Sequence, residues 1–216
     1  MAVKTKSRAS RQSKVKYIYG FAGGRAEGRA EMKQLLGGKG ANLAEMTNLG
    51  IPVPPGFTIT TESCLAYNEL GKRWPDGLEA ELAQKVKWLE SVIGKGLGDP
   101  KNPLLVSVRS VAAVSMPGLM DTILNLGLTQ QTVKGLIAKT NNPRFAYDAT
   151  RRFIQMFGDV VLEVERKLFE GALSAKKKKH GVSLDFELPA EALSELVEEY
   201  KAIIKRAKGV TFPEDP

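Results

Sequence analysis

Three glycines surround one lysine in Gly37-Gly38-Lys39-Gly40, and an amphipathic helical pattern follows at once. Glycine permits positive φ and lets a ligand come close to the backbone. The first N–H groups of a helix have no partner inside it and carry partial positive charge, so an anion there is stabilised. Lys39 adds a full charge that can reach a phosphate oxygen. Leu43, Met46 and Leu49 recur at helical spacing, and Gly50 stands where a helix C-cap would. The stretch does not have Walker A spacing. Two readings stand at this level: a phosphate cradle made by Gly37, Gly38, Lys39 and Gly40, or a glycine turn with one exposed lysine.

A second candidate is Ser107-Val108-Arg109-Ser110, at the end of the apolar run that begins at Leu104. An arginine closing a buried strand sits at the sheet edge where α/β proteins commonly bind ligands. Its guanidinium fork suits phosphate oxygens, or equally a structural carboxylate. The following Ser115-Met116-Pro117-Gly118 has the residues of a functional turn.

The elements that must position these groups divide the chain in two. From Lys16 to Leu128, glycine and proline punctuate short apolar runs. Val15–Tyr19 reads as a strand, and Ile51–Thr60 as a bent connection entering another, its prolines keeping the first half out of a central ladder. Thr61-Glu62-Ser63 can cap a helix running to Leu70. A further helix is expected over Leu78–Val92, and a buried strand over Leu104–Arg109. Strands alternating with helices indicate an α/β fold. From Thr129 to Pro216 the pattern is helical, with helices expected over Pro143–Phe157, Asp159–Leu173 and from Leu188 through Ile204.

The chain has 216 residues and a net charge of +8. Residues 1–15 are expected to form a disordered basic tail. Six cations and no acid lie within residues 1–16, which leaves +2 for the remainder. The tail reads as a solvated segment or as an organelle-targeting one. A second basic run, Lys176–Lys179, precedes the single histidine, His180. Neither run has interleaved aromatic residues, so nucleic-acid binding is not expected. No apolar run approaches the ~18 residues of a membrane span. The lone Cys64 excludes an intrachain disulfide, fits a reducing, cytoplasmic setting, and reads as a packing residue.

Taken together, the motifs carry a family resemblance. Leu35–Met46, Gly50–Thr58, Leu105–Ser110, Ser115–Gly118, Asp121-Thr122, Leu124–Leu128, Asn142–Asp148, Arg151–Phe157 and Phe212–Pro216 resemble the N-terminal part of the pyruvate, phosphate dikinase family. The lysine and arginine motifs are shared with phosphoenolpyruvate synthase. The Ser-Met-Pro-Gly segment with Asn125-Leu126-Gly127-Leu128 points to the pyruvate, phosphate enzyme. The resemblance implies an incomplete ATP-grasp-like nucleotide-binding domain, α/β or α+β, with an α-helical subdomain. It implies conversion of ATP, phosphate and pyruvate to AMP, diphosphate and phosphoenolpyruvate, with Mg²⁺, in a homodimeric whole enzyme. By motif match, Lys39 and Arg109 are the ATP phosphate contacts, flanked by Gly37, Gly38, Gly40 and Ser110, and Arg152 is a further cation.

Two departures accompany it. Val111 and Ala113 stand where the family pattern has a glycine and usually a basic residue. The chain also lacks the family's acidic Mg²⁺-binding segment, its Thr-Ser-His phosphohistidine motif and its pyruvate-binding barrel. His180 does not match the phosphohistidine context. No metal ligand set is expected on this chain, and it is not expected to run the full cycle alone. A stand-alone nucleotide- or partner-binding module is the alternative.

Overall fold

The structure, a computed structural model, describes residues 15–110 and 121–216. Most of the basic tail, and the loop that holds Val111, Ala113 and Ser115–Gly118, lie outside the described residues.

The N-terminal part is built on a three-stranded antiparallel sheet in the order β2-β1-β3. Its strands are β1 (Ile18–Ala22), β2 (Arg25–Ala26) and β3 (Gly56–Ile59). β1 begins three residues later than the apolar run suggests. The Glu81 carboxylate accepts the backbone N–H groups of Tyr17 and Ile18, both at 2.9 Å. Gly23 and Gly24, at φ 55° and 77°, close the hairpin to β2. Residues 51–55 stay outside the ladder, as their prolines require.

Helices pack around this sheet: α1 (Lys33–Asn48), α2 (Thr61–Glu69) and α3 (Leu78–Ile93). Gly50, at φ 78°, ends α1, and the Ile51 N–H reaches back to the Met46 carbonyl. The α2 cap is Thr60, whose hydroxyl accepts the Ser63 N–H. Cys64 lies exposed on α2, not packed as its apolar neighbours suggested.

The second part joins a two-stranded antiparallel ladder, β4 (Val106–Arg109) and β5 (Thr122–Leu126), to four helices. These are α4 (Gln130–Thr140), α5 (Pro143–Val160), α6 (Arg166–His180) and α7 (Ala190–Lys208). The fold therefore mixes helices with two small antiparallel sheets. Alternating strands and helices do not reveal strand direction when the connecting helix brings the chain back on itself. β4 is not buried either: Ser107, Val108 and Arg109 are all exposed, and since successive side chains alternate between faces, this end of the two-stranded ladder is uncovered on both.

The helix expected over Asp159–Leu173 does not exist as one element. α5 runs on to Val160, Glu163 adopts φ 52°, and α6 starts at Arg166. Val161 and Leu162 donate to the Phe157 carbonyl and Val164 to that of Gly158, which closes the turn. The lysine run is therefore the last turn of α6, not a loop, and His180 is its final residue. Cations there complement the helix dipole.

The main core lies between α5 and α7. Phe153 and Ile154 pack with Leu196, Tyr200 and Ile204, and Ile123 and Leu128 join them. Residues on both sides of position 128 thus contribute to this cluster. Phe212, beyond α7, sits edge-on to Phe153 and Phe157 at 5.7 and 5.4 Å. Glu214 accepts the Gln130 N–H at the start of α4 and pairs with Lys201 at 2.7 Å. Burial acts to raise its pKa, but those two partners hold it below the usual range. Pro216 then lies against Gly98, where a Cβ would come within 2.5 Å of the proline ring.

Arg151 is 2% exposed in this core. It contacts Asp148 at 2.8 Å and Asp185 at 2.9 Å, while Lys177 holds the other Asp185 oxygen at 3.1 Å. The Tyr200 hydroxyl is buried and makes no hydrogen bond of good geometry with any described residue. Burial pushes its pKa up to about 12, against the charge of Arg151.

Two outcomes follow for stability. Arg151→Ala removes the buried cation that Asp148 and Asp185 share, leaving them only Arg152 and Lys177 among the described residues, and should cost about 3 kcal/mol in urea unfolding. Tyr200→Phe should cost less than about 1 kcal/mol, since no good hydrogen bond is lost. In the sheet, Glu27 accepts Gly20 N–H and pairs with Lys16 and Lys85. Burial acts to raise its pKa, yet these partners hold it at about 2, below its ordinary 4.5. A depressed carboxylate stabilises above its unfolded pKa. This contribution should be complete above about pH 5 and vanish as pH falls toward 2. Acid titrations of Glu27→Gln should show a shallower loss of stability across that window.

Candidate functional site

The glycine-lysine stretch lies within α1, not ahead of it. Gly37 interrupts the helix with φ 65° and ψ 169°, and helical backbone resumes at Gly38. A positive φ of this kind favours glycine. The helix that matters for the stretch therefore starts anew, with Gly38, Lys39 and Gly40 in its first turn. First-turn amides of a helix face outward along its axis.

The three glycines have different reasons to be there. Gly37 makes the break. Gly40 is buried, and a Cβ on it would fall 2.7 Å from Cγ2 and 2.9 Å from Oγ1 of Thr58 on β3. Its bareness serves the packing of α1 on the sheet. Gly38 is different again: a Cβ there would meet nothing within 4 Å. Open space over the backbone of a helix start is what close approach by an anion needs.

The Lys39 ammonium donates to the backbone carbonyl of Ser110 at 3.4 Å. That contact joins residues 71 apart in sequence and brings the lysine motif to the end of β4, next to Arg109. Ser110 is fixed in turn, with its N–H on the Asp121 carbonyl at 3.0 Å and its hydroxyl on the same oxygen at 3.3 Å. Arg109 pairs with Thr122 across the ladder, and its side chain is exposed. A lysine and an arginine at one junction, beside an open helix start, can bind a polyphosphate.

Arg152 lies on α5, exposed, and donates to Asp148 at 3.0 Å. No described contact brings it to Lys39 or Ser110. Sequence reading passed over Asp121, which holds Ser110, and Thr58, which seats Gly40. Asp121 stood inside a quoted motif, but the group it offers is a backbone carbonyl, which no side-chain pattern announces.

Among the described residues, no group of three or more His, Cys, Asp or Glu side chains could hold a metal ion. The Mg²⁺ that the resemblance implies has no ligand set there. Also among them, no helix is long and apolar enough to cross a membrane. A cavity of about 130 Å³ between α4, α5 and α7 is lined by Thr129, Gln130, Tyr147, Lys201 and Glu214. Glu214 already occupies the helix start there.

Comparison with known proteins bears on this geometry. Residues 33–80 match the family described as pyruvate phosphate dikinase, AMP/ATP-binding domain. The chain is 54% identical to pyruvate, phosphate dikinase 2 of Zea mays over 199 residues, 92% of this chain and 22% of that protein. It is 52% identical to pyruvate, phosphate dikinase of Clostridium symbiosum over 202 residues, 93% of this chain and 23% of that protein. A chloroplastic pyruvate, phosphate dikinase 1 of Arabidopsis thaliana is 53% identical over 93% of this chain. The likeness read from the motifs therefore extends over nearly all of the sequence. The chain spans about a fifth of the length of the relatives it matches.

The roles given to the glycines separate in experiment. Gly40→Ala should destabilise the fold by about 1–3 kcal/mol through its clash with Thr58. Gly38→Ala should leave thermal unfolding intact or raise it slightly, because alanine is the better helix former by about 1 kcal/mol. Its methyl should instead weaken polyphosphate binding in calorimetry. Equal stability loss in both variants would contradict the assignment.

Proposed function

We propose that this chain binds the phosphates of ATP as the N-terminal portion of a pyruvate, phosphate dikinase. The observation that carries the reading is the Lys39–Ser110 contact, which joins the two motifs of the family likeness at one junction. The matched AMP/ATP-binding family model, residues 33–80, includes Lys39 and its glycines. In this reading Lys39 and Arg109 neutralise charge on the transferring phosphoryl group. Gly37, Gly38, Gly40 and Ser110 shape the cradle. Arg152 supplies a further cation on the resemblance alone.

Phosphoryl transfer is mostly positioning and charge neutralisation, so cations near the polyphosphate are the machinery. The whole reaction converts ATP, phosphate and pyruvate to AMP, diphosphate and phosphoenolpyruvate. The Mg²⁺, the phosphate acceptor and the pyruvate site lie on segments beyond the ones described. An ATP-grasp-like domain with an α/β part to residue 128 and a helical part from 129 belongs to the same proposal. So do a homodimeric whole enzyme and a cytoplasmic location. The relatives from plants include chloroplastic ones; an organelle-targeting role for the basic N-terminal residues is the alternative to the cytoplasmic location.

Val111 and Ala113 favour a second reading, a nucleotide-binding module without catalysis, because the family pattern has a glycine and a cation there.

Lys39→Ala and Arg109→Ala decide between success and failure of the proposal. Placed in a full-length dikinase, each should lower ATP-dependent enzyme phosphorylation by about a hundredfold or more. On the 216-residue chain, each should weaken ATP binding in calorimetry while the helical circular dichroism signal is kept. Near-normal phosphorylation in both variants would refute the site.

A further inference from the structure

We infer that Thr61 is a positioning residue for the amides that face phosphate at the restart of α1; this rests on the nucleotide-binding reading above. A helix running unbroken through Gly37 would pair the Gly38 N–H with the Gln34 carbonyl and the Lys39 N–H with the Leu35 carbonyl. Those two carbonyls have another partner. The Thr61 hydroxyl lies 2.6 Å from the Gln34 oxygen and 3.3 Å from the Leu35 oxygen. The single hydroxyl proton goes mainly to the Gln34 oxygen, with the Leu35 oxygen as the weaker arm, so one side chain engages the acceptors that a continuous helix would pair with the two amides.

The hydroxyl is free for this task. Thr61 is the first residue of α2, where a threonine could have served as the cap. That duty falls instead to Thr60, whose side chain accepts the Ser63 N–H and shares a 2.9 Å hydrogen bond with the Ser63 hydroxyl. The Thr60 N–H in turn donates to the Tyr17 carbonyl at 2.9 Å, which pins the start of α2 to β1. The clamp therefore reaches α1 from a fixed point on the sheet. Gly40 against Thr58 holds the other side of the break through β3, the strand that leads into Thr60. Gly37 tolerates the interrupted and the continuous backbone alike, so the side chain decides between them. A healed helix would hide both amides in internal hydrogen bonds and turn Lys39 away from its approach to Ser110.

Two substitutions separate the hydroxyl from the methyl. Thr61→Val keeps the shape and removes the donor; Thr61→Ser keeps the donor and removes the methyl. Hydrogen–deuterium exchange, read at the Gly38 and Lys39 amides of the 216-residue chain, is the direct measure. Exchange at both should slow by about tenfold in Thr61→Val, as for one net hydrogen bond gained, and stay at the wild-type rate in Thr61→Ser. ATP binding by calorimetry should weaken about tenfold in the valine variant and be retained in the serine variant. Unchanged exchange in Thr61→Val overturns the clamp, and so does a serine variant that behaves like the valine one. If the wild-type chain binds ATP and Thr61→Val binds it equally well, the positioning role is overturned. If the wild-type chain binds no ATP, the nucleotide reading fails, while the exchange rates still decide whether the clamp exists.

Discussion

A helix whose backbone turns out of the helical path leaves carbonyls behind the break and amides ahead of it, and both must find partners or water. In α1 this happens at Gly37, and the surroundings are arranged around it. The second half of the helix lies on β3 because Gly40 has no side chain to hold it off Thr58. That close approach aims Lys39 at the end of β4, where the Ser110 carbonyl receives it. Move the break by one residue and the lysine rotates about 100° around the helix, away from the ladder. The junction between the two parts of the chain thus depends on where one helix stops and restarts.

Elsewhere the same accounting of backbone groups falls to carboxylates. Glu81 takes the amides of Tyr17 and Ile18 at the start of β1, and Glu27 takes that of Gly20 within it. Glu187 takes those of Ser183 and Leu184. Asn48 pairs with Ala26 and Gly28, which covers the outer edge of β2. Around the N-terminal sheet, helix and turn side chains thus finish what short strands leave open, and Glu187 does the same for the turn ahead of α7. Arg151 works differently: it is a cation inside the core, tolerable only because Asp148 and Asp185 surround it.

Local chemistry was legible where one residue type decides the outcome. Gly50 ends α1 and Asn142-Pro143 begins α5, with Asn142 accepting the Phe145 N–H as an N-cap should. Periodicity misled where two patterns overlap. Val160, Val161 and Val164 fit a helix on spacing, but Glu163 in the left-handed region separates α5 from α6, and only the packing of Val164 into the core selects that turn. The exposure of β4 was not legible either, because an apolar strand does not state what covers it. The pairing of Lys39 with the Arg109-Ser110 corner came from family likeness, not from spacing. A contact between residues so far apart in sequence has no local signature. Thr61 reads in the sequence as a cap for α2, because its type and position look like an ordinary helix start; the cap is Thr60, and the Thr61 hydroxyl turns to the Gln34 carbonyl instead.

The segment after α7 carries a mechanical consequence. Phe212 is set among aromatic rings, Glu214 is tied to α4 and α7, and Pro216 rests on Gly98 in the connection between α3 and β4. The end of the chain is thereby held against residues 94–105, the covalent link between the two parts, beside the Lys39–Ser110 contact that also joins them. Any change in how the link lies against the helical part must therefore be accommodated at Pro216, the smallest of these contacts, while Phe212 stays anchored between Phe153 and Phe157.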